Sequence, residues 1–303
     1  MSEVAHPHHR HGWWWKTLLA GLGLWILTIA ITVLTSNANL IPTLILLGSF
    51  LVPFCVVLFV IERVTGSIST LQVVLLFFVG GIFGVLGASV LEVNLQTSIW
   101  TFIGVGFIEE FIKGVILVIG GRHVTPRTPV QGALLGATVG AGFAAFESAG
   151  YAFNAAISAQ GINLVSLVQT EVVRAILAPV GHILWTAILG AVIFGAARWS
   201  SRIRWVLGVI IAFVGVSLLH GLWDSLNFLS SILALVFTGN IMVALERGFL
   251  PASTAATVSA LATVLYIIGL AIAALIGLFT LWMVLRRART RAVAETPQHL
   301  GPR

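Results

Sequence analysis

The chain has 303 residues, 58% of them hydrophobic and only 9% charged, with a mean hydropathy of +1.06. A soluble domain carries about 25% charged residues, so a soluble globular protein is excluded. The net charge of +6 and pI near 10.7 would suggest a nucleic-acid partner in a soluble protein. Here the basic residues cluster between apolar runs, a topology signal of membrane proteins, and no nucleic acid is expected.

A membrane span needs about 20 mainly apolar residues. Eight are predicted, at 13–34, 40–61, 71–91, 99–119, 130–151, 176–197, 203–226 and 255–285. The expected fold is an all-α polytopic bundle of about eight transmembrane helices in one domain, 13–285. A polar tail, 1–12, and a basic tail, 286–303, flank it. His6, His8, His9 and His11 in the first tail read as solvated residues. Trp13, Trp14, Trp15, Trp100, Trp199, Trp205 and Trp282 lie near span ends, as an aromatic belt requires. Cys55 is the only cysteine and sits in an apolar run, so it reads as an inert buried thiol.

Orientation follows from Lys and Arg. With both termini cytoplasmic, the inner side holds Arg10, Lys16, Arg63, Arg122, Arg127, Arg198, Arg202, Arg204, Arg286, Arg287, Arg289, Arg291 and Arg303. The outer side holds Arg174 and Arg247, and Lys113 falls inside a span. The stretch 153–170 reads as an outer connection running into the sixth span, and 227–246 leaves room for a re-entrant piece. The small residues Gly132, Gly136, Gly140, Ala144 and Ser148 recur every four residues on the fifth span. Such a ridge lets another helix approach closely. Gly80, Gly84 and Gly87 suggest the same for the third.

Four successive spans carry ionisable groups that cost at least ~2.5–3.5 kcal/mol each at a bilayer centre. On the fourth, Glu109, Glu110 and Lys113 occupy one turn, and Lys113 lies within reach of either carboxylate. One Glu and one Lys would make a structural ion pair; the second Glu has no such explanation. Adjacent carboxylates in a low dielectric do not both ionise cheaply, a condition suited to general acid–base work. Glu147 follows Phe143 by one turn on the fifth span, and His182 lies in the sixth. His220 and Asp224, at i and i+4 on the seventh, share a face, so the carboxylate can orient the imidazole. Measured along the helices, Glu110 is about 16 Å deep and each His about 9 Å below its outer end. All four sets therefore belong to the outer half of the membrane and are expected to meet.

Glu109-Glu110-x-x-Lys113, Phe143-x-x-x-Glu147, His182-Ile-Leu-Trp-Thr186 and His220-x-x-x-Asp224 resemble the motif set of PrsW-type intramembrane proteases. These are similar in turn to CAAX-prenyl endopeptidases and bacteriocin-processing membrane proteins. The resemblance spans roughly residues 99–227. It departs at Ser148, where PrsW-like proteins often carry Asn, and Lys113 stands one residue before the Arg typical of CAAX-type relatives. The resemblance implies hydrolysis of a peptide bond in a membrane-anchored protein, such as an anti-sigma factor, near the extracytoplasmic side of the cell membrane.

On this reading Glu110 or Glu109 is the general base, and Lys113 keeps the partner carboxylate ionised. His182 and His220 face the carbonyl oxygen, oriented by Glu147 and Asp224. Alternatively Glu147, His182 and His220 hold zinc, with another Glu as base; no His-Glu-x-x-His helix is present. Two further readings are a secondary transporter with an intramembrane Glu/Lys/His site, and a non-catalytic protein of protease-like fold. No inverted repeat supports the first, and the complete set of ionisable motif positions goes unexplained by the second.

Overall fold

A computed structural model describes residues 12–294 except 66, 96, 97, 126, 160 and 198–205, with backbone alone at 99 and 291–294. The expectations for His6, His8, His9, His11, Arg10, Arg198, Trp199, Arg202, Arg204, Trp205 and Arg303, and for the side chain of Arg291, lie outside the described residues.

The helices are α1 (Trp13–Thr35), α2 (Ile41–Ile61), α3 (Thr70–Glu92), α4 (Ile99–Gly121), α5 (Pro129–Ala156), α6 (Leu164–Leu177), α7 (His182–Ala196), α8 (Leu207–Phe237), α9 (Ile241–Arg247) and α10 (Ala252–Ala294). The chain is an all-α polytopic membrane bundle. Among the described residues, seven helical stretches are long and apolar enough to cross a bilayer. The eighth expected span, α4, has the length at 23 residues and differs from these in carrying three charged residues at its middle, Glu109, Glu110 and Lys113.

Local sequence sets the helix starts. Ser98 and Thr101 form a capping box at α4, and Thr128 and Gln131 form another at α5, where Pro129 takes the first helical position. There proline's missing N–H costs nothing. α5 is the central element, with 72% of its most apolar stretch buried against 11% in α1. It packs chiefly on α7 and α3. A side chain at Gly132, Gly136 or Gly140 would run into the α7 backbone at Gly190, Thr186 or His182, and one at Gly142 into the α3 backbone at Phe77. The small-residue ridge is therefore the surface on which α7 rests. Gly80 and Gly84 face α5, whereas Gly87 faces Ile112 of α4. Cys55 is buried and free.

The structure differs from the expected spans at three places. The sixth span is not one helix: α6 ends at Leu177, a 3-10 turn Ala178–Val180 holds Pro179, and α7 starts at His182. Proline donates no hydrogen bond and crowds the preceding turn, so the helix breaks there. The seventh span continues past residue 226 to Phe237, leaving only α9 and short turns in 227–246. α10 runs through Arg286, Arg287 and Arg289, which had been assigned to a tail. The connection between α5 and α6 is a tight hairpin, β1 (Ile157–Ser158) antiparallel to β2 (Gly161–Ile162). α1 lies against α2, and Trp25 reaches from it to α6.

Candidate active site

α4, α5, α7 and α8 bring all seven expected residues to one cluster. Lys113 is fully buried, with Nζ 2.7 Å from Glu110 Oε1 and 3.3 Å from Glu109 Oε2. It also stands 3.1 Å from His182 Nδ1 and 4.2 Å over the Phe143 ring. The ring face carries negative charge and suits an ammonium. Phe143 lies between α4 and His182, its ring 5.2 Å from the imidazole.

The two histidines are held in matching ways. His182 Nε2 is 2.9 Å from Glu147 Oε2, and His220 Nδ1 is 3.1 Å from Glu110 Oε1. An ionised carboxylate only accepts, so each neutral imidazole carries its proton on that side. The opposite nitrogens converge on Glu109: His182 Nδ1 at 3.7 Å and His220 Nε2 at 3.6 Å from Oε2. The rings meet edge to face at 4.9 Å. Asp224 Oδ2 stands 3.4 Å from His220 Nε2.

Two residues outside the expected set complete the cluster. Arg174 of α6 donates to Glu147 through Nη2 and to Ser148 Oγ through Nε at 2.8 Å, and lies 4.2 Å over the Tyr151 ring. In sequence it was only one of two outer cations. Glu92, near the end of α3, lines the same cavity with Oε1 buried and without a hydrogen-bond partner among the described residues. The cavity holds about 490 Å³ and is also lined by Glu109, Glu147, Arg174, His182 and Asp224. Glu110 is walled off from it. A separate buried carboxyl, Glu171, accepts from Trp25 Nε1 at 2.8 Å, packs on Gly48, and leaves Oε1 without a hydrogen-bond partner among the described residues. No spacing on α6 alone could pair it with α1.

A family model described as PrsW family intramembrane metalloprotease matches residues 42–247. The chain belongs to the PrsW protease family. Neither a curated protein nor a solved structure matches it. Membership makes this a multi-pass membrane protein with a protease role toward membrane proteins. All the motif residues lie inside the matched region.

The description of PrsW proteases as metalloenzymes can be tested on this geometry. Glu109, His182 and His220 offer one ligand atom each, all within 4.8 Å of one another. Two neutral imidazole nitrogens and a carboxylate oxygen converge with no proton of their own between them. Lys113 covers the His182 side, while His220 Nε2 is buried with no hydrogen-bond partner among the described residues. Among the described residues, the carboxylates of Glu92, Glu109, Glu110, Glu147 and Asp224 meet only Lys113 and Arg174 as fixed cations, an excess of three negative charges when all are ionised. Donor set, unpartnered nitrogen and charge deficit all fit a divalent ion. The grouping differs from the expected Glu147, His182 and His220, because Glu147 is taken up by Arg174 and by the far side of His182.

Proposed function

We propose that the chain hydrolyses a peptide bond of a membrane-anchored protein, with an anti-sigma factor as the substrate type, near the extracytoplasmic side of the cell membrane. The observation that carries this reading is the position of Glu109. Of the two α4 carboxylates it alone lines the cavity, and both histidines converge on its Oε2.

Glu109 takes the proton of the attacking water; the water oxygen bonds to the carbonyl carbon, and the proton then passes to the leaving amine as the C–N bond breaks. Glu110, fully buried, positions His220 and balances Lys113. Glu147, gripped by Arg174, positions His182. Protonated on both nitrogens, an imidazole keeps its bond to the carboxylate behind it and donates from the cavity side to the developing oxyanion.

The unpartnered His220 Nε2 favours a second reading, in which Glu109, His182 and His220 hold zinc. When bound, zinc supplies a Lewis acid and lowers the pKa of a water to about 7. Glu147 and Asp224, which line the cavity alongside, would then handle the proton. The kinship to CAAX-prenyl endopeptidases belongs to this proposal.

Replacing Glu109 by Gln should lower cleavage of membrane proteins by about 10²–10⁴-fold, the usual weight of a general base. The check is a comparison of new N termini in membranes from wild-type and E109Q cells, with both proteins recovered folded. Wild-type levels of the same termini in E109Q would end the assignment. Metal analysis decides between the readings: stoichiometric zinc whose chelation stops cleavage selects the second, and full activity of metal-free protein selects the first.

A further inference from the structure

A second cavity, of about 530 Å³, lies between α8, α9 and α10. It meets the first at Asn227 and Tyr266, which line both. Along α8, His220, Asp224, Asn227, Ser231 and Leu235 fall within about 80° of one another at 3.6 residues per turn. The first two belong to the candidate active site, and the last two line the second cavity. One face of α8 thus runs without interruption from the reacting groups into this groove.

Its walls suit a polypeptide backbone. Ser231 Oγ donates to Asn227 O at 2.9 Å and Thr263 Oγ1 to Ser259 O at 2.9 Å. Each hydroxyl proton is used within its own helix, so lone pairs remain to accept from N–H groups. Lipid tails offer no such donors. Position points the same way. From Arg286, whose charge belongs at a headgroup layer, back to Tyr266 the helix rises about 30 Å, the thickness of the hydrocarbon core. The α10 wall of the groove, from Tyr266 to Ala255, therefore lies at or beyond the opposite edge of the lipid interior.

We infer that this groove binds the extended segment of the substrate that flanks its transmembrane helix, and leads it into the candidate active site. Resting on the proteolytic reading, the inference assigns where that substrate is held and the route by which it reaches the reacting groups. From Asp224 to Leu235, α8 rises about 16 Å, which spans about five extended residues at ~3.3 Å each.

The test compares new N termini in membranes of cells making the wild type, E109Q, A262W and S231W. The tryptophans fill the groove from opposite walls and touch none of the reacting groups; A262S serves as the conservative control. Each protein is first shown to be monodisperse after extraction. Termini that vanish in E109Q should fall at least about tenfold in both tryptophan variants, because remote binding energy is lost, and should return in A262S. Wild-type cleavage by both monodisperse tryptophan variants overturns the groove while leaving the protease intact. Changed lipid retention with unchanged cleavage makes it a lipid site and likewise overturns the inference. Absence of any E109Q-sensitive termini in the wild type removes the proteolytic reading itself.

Discussion

Lys113 holds two carboxylates and a histidine at once, within a bundle that gives it no water. Removing one partner of a buried ion pair costs about 3–5 kcal/mol, because the remaining charge is stranded. Lys113→Met, close in size, should therefore lower the thermal midpoint measured in detergent and also stop cleavage. Arg174 acts at one remove, through Glu147. Arg174→Ala should lower kcat by about 10–100-fold, as expected for residues that orient a His. KM should stay unchanged, and Arg174→Lys should restore part of the rate. The seven expected residues were legible because intramembrane charge is costly and was found only in short motifs. The assignment of Glu109 rather than Glu110 to the cavity was not. Neighbouring positions differ by about 100° on a helix, and only the packing of α5, α7 and α8 decides which azimuth is open. Arg174 and Glu171 escaped for the same reason, since their partners are on other helices.

At the scale of helices, the fit of α5 against α7 fixes where His182 stands. A methyl group at Gly140 would collide with the carbonyl of His182 and the Cα of Ile183. Gly140→Ala should push back the first turn of α7, and cleavage should fall more than the thermal midpoint would account for. Gly150, on the same helix, has open space around it. Gly150→Ala should be neutral or stabilising by about 0.5–1 kcal/mol, and cleavage should be unchanged. The small-residue repeat made this ridge readable in advance. The break before α7 was less so, since Pro179 sits in an otherwise continuous apolar run, and such a run reads as one span. His182 consequently opens a helix instead of lying a turn and a half inside one.

For the whole molecule, the distribution of Lys and Arg predicts that both ends face the cytoplasm. A tag at the C terminus should be shielded from protease in intact cells, while one inserted in the β1–β2 hairpin should be cut. The reverse result would put the cluster on the inner side and exclude extracytoplasmic cleavage. The helical architecture was legible from hydropathy alone, and α4 was recognised despite its charges because the apolar residues around them still reach the length of a bilayer. How the spans pack was not legible, since every one of them is apolar on nearly all sides. α1 illustrates this, being mostly exposed yet tied by Trp25 to a carboxyl of α6. That contact gives the outermost helix a purpose beyond anchoring. The indole serves as a plug over a sequestered acid, so stripping α1 away would deprive Glu171 of its hydrogen-bond donor.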